Sequence, residues 1–410
     1  MEIRPILSTI LRNKTGAILV ALQVALSLAI LANTLHIVSE RRAAAARPSG
    51  IADELSVFKI DVSHLSSDGP EQQLATMKRE TELLRAIPGV AAVTQVNQVP
   101  MSQSGWNNSV AIDRRQTEES APSSSYFAPD SLVKAWGLKI VEGRDFLPAE
   151  TQDVDINKKD EPHVVILSQA LANKLWPGQS AVGKTMYFGT GEGAIEVRVV
   201  GVVERLQSHG AEVSERGEFS ALAPVRLYGS NQAYTYTIRA EPGQRDRVLR
   251  DAEAALRKAS ATPVILESRT VERIRKSRYR ADMALSWMLV TVSVLLLLIT
   301  ASGIVGMASL WVTQRRKQIG VRRALGARKR DILRYFLLEN FMITSSGVAG
   351  GVLLGVGLNQ LLVSKLEMAR LPLEYLVGGA VMLWALGVLA VYGPAWRAAS
   401  ISPALATRST

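Results

Sequence analysis

The sequence predicts an α-helical membrane protein with four transmembrane helices and a large α+β domain inserted between the first and the second. Three observations predict it. Four long apolar runs are nearly free of charge, the charged stretch between the first two alternates strand-like with helix-like segments, and basic residues gather in the short segments beside the runs. At 410 residues the chain exceeds an ordinary domain, so at least two folding units are expected.

The first run, residues 16–38, has no charged residue, and the second covers residues 283–312. The third, residues 337–363, is rich in glycine, and the fourth covers residues 373–392. Each suffices to cross about 30 Å of hydrocarbon, which takes about 20 helical residues. A cleaved signal peptide is the alternative for the first run, since Ala43 to Ala46 resembles a cleavage region. An apolar stretch of this length exceeds the usual signal core of about 7–15 residues, and Glu40, Arg41 and Arg42 intervene. The run therefore reads as a retained anchor.

A net charge of +11 invites a nucleic-acid partner, and its placement argues against one. Arg4, Arg12 and Lys14 precede the first run, nine basic residues from Arg315 to Arg334 separate the second from the third, and Arg397 and Arg408 follow the fourth. Residues 41–280 are nearly neutral. Short basic segments stay on the cytoplasmic side, so both termini and residues 313–336 are expected inside and residues 41–280 outside. The short outer loop near residue 370 holds only Lys365 and Arg370. One feature runs against this: Arg269, Arg273, Arg275, Lys276, Arg278 and Arg280 crowd the outer side of the second run. Long translocated domains largely escape the rule.

Residues 1–15 place Ile3, Ile6, Leu7, Ile10 and Leu11 on one helical stripe, as a helix lying on the inner lipid surface would. Small residues mark helix contacts. Ala17, Ala21, Ala25 and Ala29 recur every four residues in the first run, and Gly347, Gly351 and Gly355 in the third. Such faces let backbones approach closely in lipid, in a packed bundle or a dimer.

Within 41–280, two strand–helix–strand patterns, at about 50–100 and 230–268, bracket a mixed lobe at about 100–230. An α+β body whose halves pair is expected. Inside the lobe, Gly178 to Thr185 matches GxxxxGK[ST]. A phosphate loop needs a strand before it and a helix after it. Here residues 168–176 read as helix and Met186 to Phe188 as strand, so the match is expected to bind no nucleotide. With no cysteine, and with His36, His64, His163 and His209 scattered, neither a thiolate nor a clustered metal site is in view. No catalytic residue and no metal ligand is assigned, and no enzyme is expected.

The segment Gln314 to Arg334 is basic and amphipathic, with Ile319, Leu325, Ile332 and Leu333 as apolar anchors and Gly320 and Gly326 permitting turns. It contains Gln318-Ile-Gly-Val-Arg-Arg-Ala-Leu-Gly-Ala327 and continues to Phe336-Leu-Leu-Glu339. This run resembles the inner-face motif of FtsX/MacB-type ABC permeases. Pro394 to Leu405 resembles the closing motif of that family, and Leu175 to Lys184 with Val200-Gly-Val-Val resembles the MacB-type periplasmic core domain. Arg12 to Ala17 resembles its entry segment. Gln318 departs from the pattern, standing where the family usually has glutamate.

The resemblance implies a permease subunit of the bacterial inner membrane, without a fused ATPase domain, coupling ATP hydrolysis to periplasmic motion and to export of a peptide, antibiotic-like or amphiphilic substrate. The ATP and Mg would be bound by a separate cytoplasmic ABC ATPase, with no cofactor in this chain. Its other partners would be a second permease copy or paralogue, a periplasmic adaptor (membrane fusion) protein and membrane lipid. The ATPase-coupling residues implied are Arg315, Arg316, Gln318, Ile319, Gly320, Arg322, Arg323, Ala324, Leu325, Gly326 and Ala327. Lipoprotein extraction, or control of a cell-wall hydrolase, would use the same architecture. Residues 313–336 are thus expected as a coupling loop and residues 393–410 as a cytoplasmic tail.

Overall fold

The computed structural model describes residues 14–65, 69–157, 162–229, 233–366 and 370–400. The N-terminal helix expected over 1–15 lies, but for its last two residues, outside the described residues, as do residues 401–410 of the tail. The chain divides into two compact units, Ala43–Ala281 and a second made of Met1–Arg42 with Asp282–Thr410.

Helix α1 (Lys14–Ala46) opens the described chain. In the Ala43–Ala281 unit, β1 (Val57–His64), α2 (Pro70–Arg85) and β2 (Val90–Val96) form one strand–helix–strand segment. The other is β12 (Tyr234–Ala240), α5 (Arg245–Ala259) and β13 (Val264–Thr270). Their strands make one antiparallel sheet in the order β13-β1-β12-β2, alternating between the two segments. This is the split βαβ, ferredoxin-like arrangement. Side chains alternate between the faces of a strand, so Phe58, Ile60 and Val62 share one face of β1. They pack with Met77 and Leu84 of α2 and with Val248, Ala252 and Leu256 of α5. Neither segment can close that core alone, which is why residues far apart in sequence fold as one body.

Between them, β3 (Asn107–Ala111), β4 (Ala121–Phe127), β5 (Ile140–Gly143), β7 (Val164–Ser168), β8 (Thr185–Phe188), β9 (Ile195–Val203) and β10 (Ser220–Ala223) build a mixed seven-stranded sheet, β5-β9-β7-β10-β4-β3-β8. β8 also pairs with β9, which closes six of the strands into a ring. Closure leaves fewer free edges for unwanted pairing. Val165, Leu167, Met186 and Val199 pack there with Leu171 and Leu175 of α4 (Gln169–Leu175). β6 (Gln152–Asp155) and β11 (Val225–Tyr228) form a separate parallel pair. The lobe is joined to the ferredoxin-like body by α3 (Leu132–Trp136). Its Trp136 is fully buried and donates Nε1–H to Thr237 Oγ1 at 2.8 Å.

The basic crowding at residues 269–280 has a structural cause. Helix α6 (Val271–Gln314) begins well before the apolar run at 283, and its first turns belong to the α+β unit. Arg275 donates to Glu54 at 2.8 and 2.5 Å and to the carbonyls of Ala45 and Arg47 at 3.1 and 2.9 Å. Arg278 donates to the carbonyls of Gly210 and Ala211 at 2.6 and 2.9 Å. Burial alone would raise Glu54, but the hydrogen bonds from Arg275 and Ser49 outweigh it and hold that carboxyl below its ordinary range. These arginines tie the unit together, so a count of topogenic charge misreads them.

In the second unit, α1, α6, α8 (Lys329–Leu366) and α9 (Leu373–Ala399) are each long and apolar enough to cross a membrane. Each outruns its apolar run, because the flanking Arg, Lys, Glu and Ala favour helix as much as the run itself. Helix α9 continues through Pro394. Residues 313–336, expected as a loop, are mostly helical: α6 reaches Gln314, α7 covers Arg316–Ala324, and α8 starts at Lys329.

Candidate functional site

Helix α7 is amphipathic, and the structure sorts its residues into an anchored side and a free side. Ile319 and Gly320 are buried. Ile319 joins the apolar cluster that includes Ile332 and Phe336 of α8 and Ala395, Ala398 and Ala399 of α9. Gly320 lies inside the helix and makes no turn, contrary to the sequence expectation; lacking a side chain, it fits on the buried side. Leu325, expected as an anchor, is 83% exposed instead. It stands one helical turn beyond Val321, which is also exposed, so the two share a face. Arg316, Lys317, Gln318, Arg322 and Ala324 are exposed as well. The free side is therefore basic around a small apolar strip.

Both ends of α7 are fixed. Before it, Arg315 is buried and its Nη1 donates to both carboxylate oxygens of Glu339, at 2.9 and 2.8 Å. Glu339 is 2% exposed. A buried pair of this kind holds its two segments in one geometry at the cost of desolvating both charges. After α7, the Gly326 N–H bonds the Arg323 carbonyl at 3.2 Å and the Ala327 N–H bonds the Arg322 carbonyl at 3.1 Å. With Gly326 at φ +98°, this is a Schellman termination. The chain then re-enters helix at once, the Arg328 N–H bonding Asp331 Oδ2 at 2.9 Å. Arg322 lies 5.2 Å from the centre of the Tyr335 ring. Arg323 is half-buried, and its Nε meets no acceptor among the described residues. Ala327 is half-buried beside the turn.

Arg315 was legible as one of a basic series, whereas its partner was not. Glu339 lies 24 residues away, inside the stretch read as a transmembrane run. A lone carboxylate in an apolar run was the available signal, because such a charge needs a partner.

The small residues of α1 and α8 face each other. A Cβ on Gly347 would fall 2.6 Å from the Ala21 carbonyl oxygen, and one on Gly351 2.9 Å from that of Ala25. At Gly355 the nearest α1 atom would be the Ala29 Cα, at 3.4 Å. Asn33 Nδ2 bridges the pair, donating to the carbonyls of Ala29 at 2.9 Å and Gly355 at 3.1 Å. Ala17 is buried in the same unit's core. The Gly178–Thr185 turn runs from helix α4 into strand β8, so no helix N-terminus follows Lys184. Lys184 Nζ donates to Gln179 Oε1 at 2.6 Å and lies 5.2 Å from the centre of the Trp176 ring.

Comparison with known families agrees with this architecture. The MacB-like periplasmic core domain matches residues 17–256, more than half of the chain, and the FtsX-like permease C-terminal domain matches residues 290–403. The chain belongs to the FtsX/MacB family of ABC transporter permeases. Its α+β unit is the periplasmic core domain of that family, with one candidate span before it in sequence and three after it among the described residues. Macrolide export ATP-binding/permease protein MacB of Chromobacterium violaceum is 29% identical over 277 residues, 66% of this chain and 41% of the relative. The protein of the same name from Nitrosomonas europaea is 26% identical over 381 residues, 88% of this chain and 52% of that one. The chain thus spans about half the length of these relatives, or less. Among solved structures, the periplasmic region of MacB from Actinobacillus actinomycetemcomitans is 14% identical, with a TM-score of 0.36, covering 56% of this chain and 94% of that one.

Proposed function

We propose that this permease transmits the work of a separate cytoplasmic ABC ATPase to its periplasmic domain, and that α7 is where the ATPase grips. The observation that carries this reading is the two-sidedness of α7: Ile319 and Gly320 are buried and Arg315 is tied to Glu339, while Arg316, Lys317, Gln318, Val321 and Leu325 stay exposed among the described residues and Arg322 lies over Tyr335 of α8. Such a face suits an acidic partner surface with an apolar centre. ATP and Mg are held by the ATPase, and this chain needs no cofactor of its own. Differential affinity of the ATPase for two arrangements of the helices shifts their populations. Displacement of α7 passes to α8 through Arg315 and Glu339, and from α8 to α1 through the glycine–alanine seam. A second permease copy or paralogue completes the membrane part, in the inner membrane and among its lipids. The cargo is a peptide, antibiotic-like compound or other amphiphile, delivered outward with a periplasmic adaptor. The name of the macrolide export relatives supports export.

This reading requires α7 inside and the periplasmic domain outside. The chain has no cysteine, so Leu325→Cys and Glu118→Cys each supply a single exposed thiol. A membrane-impermeant maleimide applied to intact spheroplasts is expected to label position 118 at once and position 325 only after lysis. The reverse pattern contradicts the proposed orientation.

A further inference from the structure

The periplasmic domain holds a cleft of about 900 Å³ lined from β2, α3, β12 and the loop that contains Phe146, Leu147 and Pro148. That volume is in the range of small-molecule sites, roughly 300–1,000 Å³. Part of its wall is apolar, and part carries buried polar atoms left without partners. Arg239 Nε is buried and meets no acceptor among the described residues, and Asp130 Oδ2 is buried and receives no donor. The other arginines of the cleft have carboxylate partners: Arg226 Nη1 pairs with Asp153 at 2.7 Å, although its Nε likewise meets no acceptor among the described residues, and Arg85 pairs with Glu82 at 2.5 Å and Asp130 at 3.3 Å. Among the described residues no carboxylate pairs with Arg239 or with Lys134, which also lines the cleft.

Leaving a buried donor and a buried acceptor unsatisfied is costly, and natural folds seldom do so without a use for them. A guanidinium fork matches a planar carboxylate, and Asp130 offers an acceptor to an N–H on the same molecule. The carboxylate of Asp130 also disfavours a doubly charged phosphate at this place. We propose that the cleft binds a carboxylate carried on an apolar body with a neighbouring N–H, as at a peptide C-terminus or on an acylated amino acid, with Arg239 as its anchor. The proposal stands on the cleft alone and is independent of the coupling assigned to α7.

N-dansyl-phenylalanine, an apolar fluorophore bearing one carboxylate, and its carboxamide are suitable probes for the full chain in lipid nanodiscs. The carboxylate is expected to give saturable emission enhancement that empty nanodiscs do not give. Affinity is expected to fall roughly tenfold or more for the carboxamide, and equally for Arg239→Gln, from the loss of a charge-assisted hydrogen bond. Lys134→Gln is expected to weaken binding by a smaller factor. Equal affinity for the carboxamide overturns the proposal, as does unchanged affinity in Arg239→Gln. Displacement by millimolar inorganic phosphate would reassign the cleft to phosphate and overturn the carboxylate assignment. Should Arg239→Gln lose the wild-type proteolysis pattern, the carboxamide and Lys134→Gln decide the matter. ATPase stimulation by the permease tests α7 separately, so failure here and failure there are distinguishable.

Discussion

Gly347→Val is expected to break the helical unit apart. Its Cβ would sit 2.6 Å from the Ala21 carbonyl oxygen and 2.8 Å from the Val24 Cβ. The obstacle at Ala21 is backbone, which no rotamer change can clear, so α1 and α8 must separate along the seam that also holds Gly351 and Asn33. Overpacking commonly costs 1–3 kcal/mol; a clash against backbone should reach about 3 kcal/mol or more. Gly357→Val is the control, since a Cβ at Gly357 meets nothing within 4 Å. Thermal unfolding in mild detergent should show a large loss for the first variant and little change for the second. Equal behaviour of the two would mean that the seam is not what holds α1 to α8.

The second large effect is expected at the buried ion pair. Arg315→Met leaves the Glu339 carboxylate, 2% exposed, without its partner. Breaking such a pair from one side costs roughly 3–5 kcal/mol, whereas replacing both charges with apolar groups is often neutral. Arg315→Met should therefore destabilise the helical unit strongly, and adding Glu339→Leu should recover most of the loss. The double variant also separates stability from coupling: α7 would be folded but no longer tied to α8 by charge, so ATPase stimulation should stay impaired after stability returns. Wild-type stability in Arg315→Met would remove the pair from the account.

How far these features could be read in advance depended on the range of the interaction behind each. The four-residue spacing of Ala21, Ala25 and Ala29, and of Gly347, Gly351 and Gly355, is local, and it has one strong use in lipid. The two strand–helix–strand patterns were likewise written in local periodicity, and their alternation in one sheet follows from each having an apolar face to cover. Pairings between distant residues left no such mark. The closure of β8 on β9, the Trp136–Thr237 hydrogen bond and the Arg315–Glu339 pair all require the fold to be known. The two glycines of the basic segment are a sharper case. Gly320 and Gly326 look alike in sequence, yet one is buried within α7 and the other sits at φ +98° after it. Burial on one helix face decides between them, and Leu325 was misread as an anchor for the same reason.

The central claim is that α7 transmits force from an ATPase, and Gly326 tests it most directly. A Cβ at Gly326 meets nothing within 4 Å, so a substitution there acts only through the backbone. Valine is strained in the left-handed conformation by roughly 1–3 kcal/mol, while asparagine tolerates it. Neither changes the charge of the segment. The measurement is ATP hydrolysis by the cognate ATPase reconstituted with wild-type, Gly326→Asn or Gly326→Val permease, each first shown to be inserted and folded. Wild-type and Gly326→Asn should associate with the ATPase and stimulate it, and Gly326→Val should do neither. Full association and stimulation by Gly326→Val would contradict the account, leaving α7 as a topology signal and nothing more.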